Sequence, residues 1–454
     1  MIRRIICPLL RLTLRVFFRR IEVSGLEHVP RKSPVMFVLN HPNALVDPVF
    51  LLCLVPRRVS FLAKAPLFRI PILGYVVRSL DSLPVYRKQD MADTALNRET
   101  FERARELLVR GGTLAICPEG VSHSEPRLKP LKTGAARIAL GAASSGSALD
   151  LKIVPAGLYY TAKTTFRSSA LLCFGEPIKV EPVEIEADGE LPHKAVRALS
   201  AQIEQALREV VLNAEHEEAL ALIARAEKIF SSAEQASEEK GLLARELELR
   251  QRFIEGYAHL QSRSPERLSA LVARLTRFEE ELKQAGLETD DLAVPKSSGS
   301  GSQVIFHLLS RAILFTLLSP IALAGMIVHY PAYKLAGYVA TTFSREAEDV
   351  ISTVKIIAAM LLFPMTWLLV AFLLFRFAGW PIALAALVLI PIAGYAAVRF
   401  FEELDRFVGT LRALTFFGTR SRFFKKLLVE RRAIHEEILA LGEEAVLEGM
   451  RAEG

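Results

Sequence analysis

Apolar positions along the chain fall into three regimes. Between residues 21 and 180, strand-like runs alternate with stretches of helical period. Val35–Leu39, Thr113–Cys117, Ile153–Leu158 and Leu171–Phe174 have the length and apolar content of strands covered on both faces. Glu99–Arg110 and Gly134–Ala143 read as helices between them. Arg110-Gly111-Gly112 and Gly175-Glu176-Pro177 mark turns. This pattern predicts an α/β domain over residues 21–183, a central sheet flanked by helices.

Residues 184–294 change period. Val196, Leu199, Ile203, Leu207 and Val210, then Leu268, Leu271, Leu275, Phe278 and Leu282, recur at helical spacing among charges. They predict amphipathic helices packed on each other or on the first domain, without a sustained heptad. Residues 295–303 (PKSSGSGSQ) are a flexible linker by composition. Residues 304–398 hold three uncharged apolar runs: Ala312–Val328 (17 residues), Ile356–Phe375 (20) and Ala378–Val398 (21). A bilayer span needs roughly 20. Only Arg376 and Phe377 separate the last two runs, so these should form a tight hairpin. Residues 399–454 form a basic helical tail.

Composition excludes several classes. Of 454 residues, 51% are hydrophobic and 24% charged, which provides enough apolar surface to order most of the chain. Four cysteines (Cys7, Cys53, Cys117, Cys173) without a CxxC pair exclude a disulfide scaffold and give no metal cluster. The net charge of +7 fits either nucleic acid or an anionic lipid surface, and its distribution selects lipid. Residues 1–20 carry six arginines and no acid, interleaved with Ile5, Leu9, Leu12 and Phe17. Residues 399–432 carry nine basic and four acidic residues beside apolar sequence, whereas 184–293 have 14 basic against 23 acidic.

Residues 1–20 therefore predict a basic amphipathic helix lying on a phospholipid bilayer. A signal peptide competes, but Arg11 and Arg15 break its apolar run. The positive-inside rule places both basic ends, and with them the α/β domain, on the cytoplasmic side of an integral membrane protein. That favours an even number of crossings. Either Pro320 and Gly325 make the first run re-entrant, or part of Pro331–Phe343 returns across, or the charge rule fails here. No nucleic-acid partner is expected.

The densest polar cluster follows the strand Val35–Leu39: Asn40-His41-Pro42-Asn43-Ala44-Leu45-Val46-Asp47-Pro48. A histidine at a strand's carboxyl end, with Pro42 at the first position of a helix, sits where α/β folds place their sites. Asp47 can hold the imidazole tautomer and stabilise its charged form, which makes His41 a competent general base. Alone, the pair fits a structural histidine equally well.

Three further segments follow: Lys64-Ala65-Pro66-Leu67 leading to Leu83-Pro84-Val85-Tyr86-Arg87; Ile116-Cys117-Pro118-Glu119-Gly120-Val121-Ser122-His123; and Val154-Pro155-Ala156-Gly157-Leu158. In this order and spacing the set resembles the four motifs of the glycerolipid acyltransferases, the glycerol-3-phosphate and lysophosphatidate acyltransferases, over roughly residues 30–180. The resemblance implies acyl transfer from a thioester, acyl-CoA or acyl carrier protein, to an alcohol. It implies no metal and no other cofactor. His41 and Asp47 would be catalytic. Arg87 would pair with the acceptor's phosphate, with Lys64 adding charge. Glu119 and Gly120 would shape the acceptor pocket, Glu119 through a glycerol hydroxyl. Arg87 or Lys64 could instead be surface residues, and Cys117 is a core thiol rather than a nucleophile.

Two departures stand out. Five residues separate His41 from Asp47 where the family has four, and one extra residue turns an ideal helix by about 100°. Asp47 can then face His41 only if Pro42 and Asn43 lie in an unwound turn. The third motif lacks its usual arginine, for which His123, Arg127, Lys129 or Arg137 could substitute; Lys132-Thr133-Gly134 fits a basic-then-glycine segment. Both departures resemble the fungal-type glycerol-3-phosphate/dihydroxyacetone-phosphate acyltransferases and their bacterial relatives. That branch also implies a helical region and membrane segments after the catalytic domain, and Asp349–Lys355 resembles its polar lead into a membrane helix. Alternatives are another lysolipid or amine-bearing acceptor, a thioester hydrolase using the same pair, and an inactive lipid-binding membrane protein.

Overall fold

Val35–Leu39 is five consecutive buried residues, and its side chains divide between two cores as a strand's alternation requires. Val35, Phe37 and Leu39 join one core; Met36 and Val38 join the other. The computed structural model describes all residues except 1, 92, 146–148, 187–189, 215–218, 221, 223–224, 226–240, 286–300, 345–346, 420 and 453–454. It divides into two compact units. The first comprises Met1–Glu215 with Leu243–Leu247 and Ser344–Ile356, the second the remainder.

The first unit begins with α1 (Ile2–Phe17) and β1 (Arg20–Ser24). It continues through β2 (Val35–Leu39), α2 (Val46–Leu54), β3 (Ser60–Lys64), α3 (Pro71–Ser79) and β4 (Leu83–Val85). Then come α4 (Asn97–Val109), β5 (Thr113–Ile116), α5 (Gly134–Ala143), β6 (Lys152–Tyr160), β7 (Ser169–Phe174), β8 (Ile178–Lys179) and α6 (His193–Val210). The eight strands form one mixed sheet of order β1-β7-β6-β2-β5-β3-β4, with β8 on β6. β6 runs antiparallel to β7 and β8, and all other pairs are parallel. Residues of α1 and α2 cover one face, and residues of α4, α5 and α6 the other. β2 lies at the centre between β5 and β6, so the segment after Leu39 emerges at the middle of the sheet's carboxyl edge.

The sheet-bearing unit does not close at residue 183. Helix α6 lays Val196, Leu199, Ile203, Leu207 and Val210 into the second core, so its amphipathic face completes this domain. Gly157 is where the two meet. A Cβ there would lie 1.8 Å from the Val210 carbonyl oxygen. Leu243–Leu247 also belong here. Glu22 of β1 accepts hydrogen bonds from the backbone N–H groups of Leu243 and Ala244, capping a helix N-terminus with a carboxylate.

α1 exposes Ile5, Leu9 and Leu12 on one face and buries Leu14 and Phe17 on the other. Its arginines are partly committed within the protein. Arg3 donates to the Val59 carbonyl and Arg11 donates twice to the Cys53 carbonyl.

Later helices include α7 (Leu242–Arg263), α8 (Pro265–Gln284), α9 (Gly301–Phe343), α10 (Glu348–Ala378), α11 (Trp380–Thr419) and α12 (Ser421–Ala452). The linker expected over 295–303 lies outside the described residues up to 300, and 301–303 open α9. Three described helices are long and apolar enough to cross a membrane: Leu308–Phe343, Glu348–Ala378 and Trp380–Arg412. The expected break at Pro320 and Gly325 is absent, and Pro331–Phe343 continues the same helix rather than returning separately. Such helices tolerate proline where neighbours and local adjustments meet the freed carbonyls. Among the described residues the candidate spans thus number three, an odd count where the charge pattern favours an even one.

In this second unit, Phe315 meets Phe400 and Phe407 while His329 meets Gly394, so α9 and α11 run antiparallel. His329 Nδ1 donates to the Gly325 carbonyl, and Trp367 Nε1 donates to His329 Nε2 at 2.9 Å. The basic tail is not a free extension. Leu427, Ile434 and Ile438 of α12 share a core with Leu271, Leu275, Phe278 and Leu282 of α8. Arg274 bridges Glu430 and Glu437 and holds the Glu430 carboxyl below the usual range.

Gly157→Ala is expected to lower the unfolding midpoint of the protein in detergent, at a cost of about 1–3 kcal/mol for overpacking against main chain that cannot yield. An unchanged midpoint would contradict the close packing of α6 on β6.

Candidate active site

The site is assembled where β2 ends. Asn40 is the first residue past the strand, and its side chain acts as a peptide group. Its Nδ2 donates to the Leu158 carbonyl at 3.0 Å and its Oδ1 accepts from Leu158 N at 2.8 Å. This pins the start of the motif to β6. Pro42 is not at a helix start, contrary to the sequence expectation. Residues 42–45 form an irregular turn, Ala44 takes φ +32°, and α2 begins only at Val46. The unwound turn absorbs the extra residue, and His41 Nδ1 meets Asp47 Oδ2 at 2.8 Å.

Asp47 is fully buried, so its charge needs partners. It has three. Oδ2 also accepts from Asn43 N at 2.8 Å, and Oδ1 accepts from the Tyr160 hydroxyl at 2.7 Å. Burial and the Asp47 charge push the Tyr160 phenol well above its usual range, so it remains a donor. A carboxylate only accepts, so His41 Nδ1 carries the proton and Nε2 holds the free lone pair. The imidazole is partly exposed (21%) while its carboxylate partner is not exposed at all, the disposition of a base open to substrate. Beside it the Asn43 side chain is buried, with neither polar atom hydrogen-bonded among the described residues.

Glu119 ties the first motif to the third. One carboxylate oxygen accepts from His41 N at 3.3 Å; the other accepts from Lys129 N at 2.9 Å and from the His123 imidazole. His123 N also donates to the His41 carbonyl. Both Glu119 oxygens thus accept hydrogen bonds within the protein, and the residue shapes the loop beside His41. His123 is drawn into this pair, whereas Arg127 and Lys129 meet Glu125, and Arg137 meets Glu190.

Arg87 joins the second motif to the third. Its guanidinium forms a bidentate pair with Asp90 at 2.7 and 2.9 Å and donates to the Gly120 carbonyl at 3.0 Å. Asp90 is absent from the sequence-based expectations, although its i,i+3 offset from Arg87 carries the signal. Arg87 holds the Asp90 carboxyl below its ordinary range, aided by the charges of Lys64 and Lys132 and opposed by burial. Gly120 takes φ +73°, and a Cβ there would lie 2.5 Å from Lys132 Nζ. Lys132 therefore lies across Gly120, and Lys64 ends β3 with an exposed side chain. Arg87, Lys64 and Lys132 against Asp90 leave this rim cationic. Lys163, just after β6, adds a further amine whose pKa burial lowers despite Glu348 and Asp349 nearby. Neither Tyr160 nor Lys163 lies in a motif, so the sequence offered no sign of them.

Residues 20–159 match the acyltransferase family model, and residues 231–445 match the glycerol-3-phosphate acyltransferase 2 C-terminal domain. An uncharacterized acyltransferase of Schizosaccharomyces pombe is 23% identical over 89% of this chain and 75% of its own length. Glycerol-3-phosphate O-acyltransferase 2 of Saccharomyces cerevisiae is 28% identical over 61% of this chain and 38% of its own length. Glycerol-3-phosphate O-acyltransferase 1 of the same yeast is 24% identical over 78% of this chain and 58% of its own length. The chain thus spans less than two thirds of either Saccharomyces relative. The two domain matches follow one another along the sequence in the places where the sheet and the long helices are found: an acyltransferase domain, then a glycerol-3-phosphate acyltransferase 2 C-terminal domain.

Proposed function

We propose that this protein is a membrane-embedded O-acyltransferase that transfers a fatty acyl group from acyl-CoA or acyl carrier protein to a hydroxyl of glycerol-3-phosphate. The observation that carries this reading is the His41–Asp47 pair at the carboxyl edge of β2, with Nε2 left as the base, beside a cationic rim around Gly120. The match of residues 231–445 to a glycerol-3-phosphate acyltransferase domain supports this acceptor over lysophosphatidate.

The acceptor hydroxyl gives its proton to His41 Nε2 as its oxygen attacks the thioester carbonyl carbon. The new C–O bond forms and the carbonyl oxygen takes up negative charge. As that intermediate collapses the C–S bond breaks, and the imidazolium returns the proton to the leaving thiolate. Asp47 stabilises the imidazolium between these steps, and a positioned base of this kind contributes about 10²–10⁴-fold. The thioester supplies the activation, so no step is routed through a metal or another cofactor.

Arg87 is spent on Asp90 and Gly120, so it serves as the frame of the acceptor pocket. Lys132 and Lys64 supply the charge for the phosphate, as flexible ammonium groups can. The exposed apolar face of α1 and the three long helices suit a membrane site, and the basic charge of residues 1–20 supports a cytoplasmic face for the catalytic unit.

Acyl transfer by purified protein in liposomes, supplied with labelled palmitoyl-CoA and either glycerol-3-phosphate or lysophosphatidate, tests the reading. Turnover with glycerol-3-phosphate is expected. Turnover only with lysophosphatidate would move the enzyme to the next acceptor, and product formation without an acceptor would make it a hydrolase. His41→Ala should lose at least about a hundredfold in kcat while remaining folded; retained transfer would remove His41 from the mechanism. Lys132→Ala should raise KM for glycerol-3-phosphate about tenfold or more and leave KM for the thioester unchanged. Cys117 is half-buried, and desolvation, with Asp47 and Glu119 nearby, pushes its thiol well above its usual range. It stays protonated at neutral pH and cannot serve as nucleophile. Cys117→Ala should keep activity within a few-fold, and its abolition would point to an acyl-enzyme.

A further inference from the structure

The irregular turn 42–45 determines whether Asp47 reaches His41, and nothing in its own sequence locks it. Ala44 sits in the left-handed region, which a residue with a Cβ holds only when its surroundings enforce it. Leu45 N belongs to the start of α2, where helix N–H groups have no partner within the helix. That N–H donates to Thr353 Oγ1 at 3.2 Å. Thr353 lies 308 residues further along the chain, in the first turns of α10, within the segment Ser344–Ile356 that belongs to the catalytic unit.

One turn earlier on the same helix, Asp349 accepts a hydrogen bond from Ser122 Oγ. Ser122 stands between Gly120 and His123, in the loop whose backbone meets the His41 carbonyl. On the same turns, Ser352 donates to the Lys163 carbonyl and Lys355 Nζ donates to the Thr164 carbonyl. Those carbonyls belong to the loop leaving β6, three and four residues after the Tyr160 that holds Asp47. Ser352 is fully buried, Thr353 nearly so, and Ile356 packs on the core formed by α1, α2 and the sheet. All three loops that meet at the His41–Asp47 pair are therefore fastened to the same two turns of helix.

We propose that the polar head of α10 is a positioning element of the acyltransferase site, with Thr353 fixing the turn before Asp47 and Asp349 fixing the loop after Gly120. Asp349 and Thr353 are four residues apart, so they share one face of the helix and can hold both loops at once. The consequence is that the catalytic domain is incomplete without the first turns of an apolar helix that the sequence places far downstream. This inference rests on the acyltransferase reading for its kinetic consequences but not for its structural ones.

The test uses the full chain in detergent or liposomes, with Thr353→Val, Thr353→Ser and Asp349→Asn, read by kinetics and by amide hydrogen exchange. Thr353→Val is expected to lower kcat about tenfold, the effect of one lost orienting hydrogen bond, and to move the acidic limb of the kcat/KM pH profile. KM for the thioester and the unfolding midpoint should stay near the wild-type values. Thr353→Ser keeps the hydroxyl and should restore both rate and profile. Asp349→Asn should lower kcat in the same direction. Exchange of the peptide spanning residues 41–47 should rise about tenfold in Thr353→Val and not in Thr353→Ser. A Thr353→Val protein with wild-type kcat, profile and exchange overturns the proposal. So does a loss that Thr353→Ser fails to restore, or one that simply follows a fall in unfolding midpoint. If the wild type transfers no acyl group to any acceptor, the functional reading falls, and the exchange measurement still decides whether Thr353 holds the turn.

Discussion

A fully buried carboxylate is the constraint around which the site is built. Asp47 cannot remain charged inside the sheet's edge without hydrogen bonds, and it obtains them from His41, from the backbone of Asn43 and from Tyr160. Each donor comes from a different requirement of the fold: the end of the central strand, an irregular turn, and the end of the neighbouring strand. Removing any one leaves charge unsatisfied in a dry place, which costs more than the bond itself contributes. The same arrangement fixes the proton on Nδ1 and leaves Nε2 basic. Structural satisfaction of Asp47 and chemical competence of His41 are one interaction.

Around it, the polar residues of the motifs mostly bind one another. Glu119 links the two loops flanking His41, and Arg87 with Asp90 braces Gly120. These are charge-assisted contacts of 2.7–3.3 Å, and they hold the pocket's shape before substrate arrives. Cationic charge not consumed this way lies with Lys132 and Lys64. The division follows from chemistry: a planar guanidinium suits a fixed bidentate contact, while a lysine's mobile point charge suits a rim.

The sequence made much of this legible where the signal is local. Val35–Leu39 and the other apolar runs predicted the sheet, and the three uncharged stretches predicted the long helices, because burial imposes a period or a length. His41 and Asp47 stood out as polar residues directly after an apolar strand. The failures share a physical cause. Pro42 at a helix start was a fair reading of local propensity, overridden by the extra residue that the turn had to absorb. Pro320 looked like a break, but in an apolar helix a proline can be accommodated. Helix α6 was assigned outside the catalytic domain because its charged face dominates composition, while its apolar face was needed to cover the sheet. Tyr160 and Thr353 act through single hydrogen bonds and Asn40 through a pair; the last two stand in polar stretches that the sequence marks, but their partners lie in distant segments, and a partner so far away leaves no period, spacing or composition to read.

The central claim is that the buried Asp47 carboxylate makes His41 a base. Its most direct measurement is the pH profile of kcat/KM for Asp47→Asn in liposomes, with folding verified by an unchanged unfolding midpoint. The amide keeps the volume of Asp47 but has no charge with which to stabilise an imidazolium and no obligation to hold Nδ1 protonated. The account predicts a fall of about a hundredfold or more across the neutral range, with KM for both substrates little changed. A folded Asp47→Asn protein that retains activity within a few-fold would contradict it.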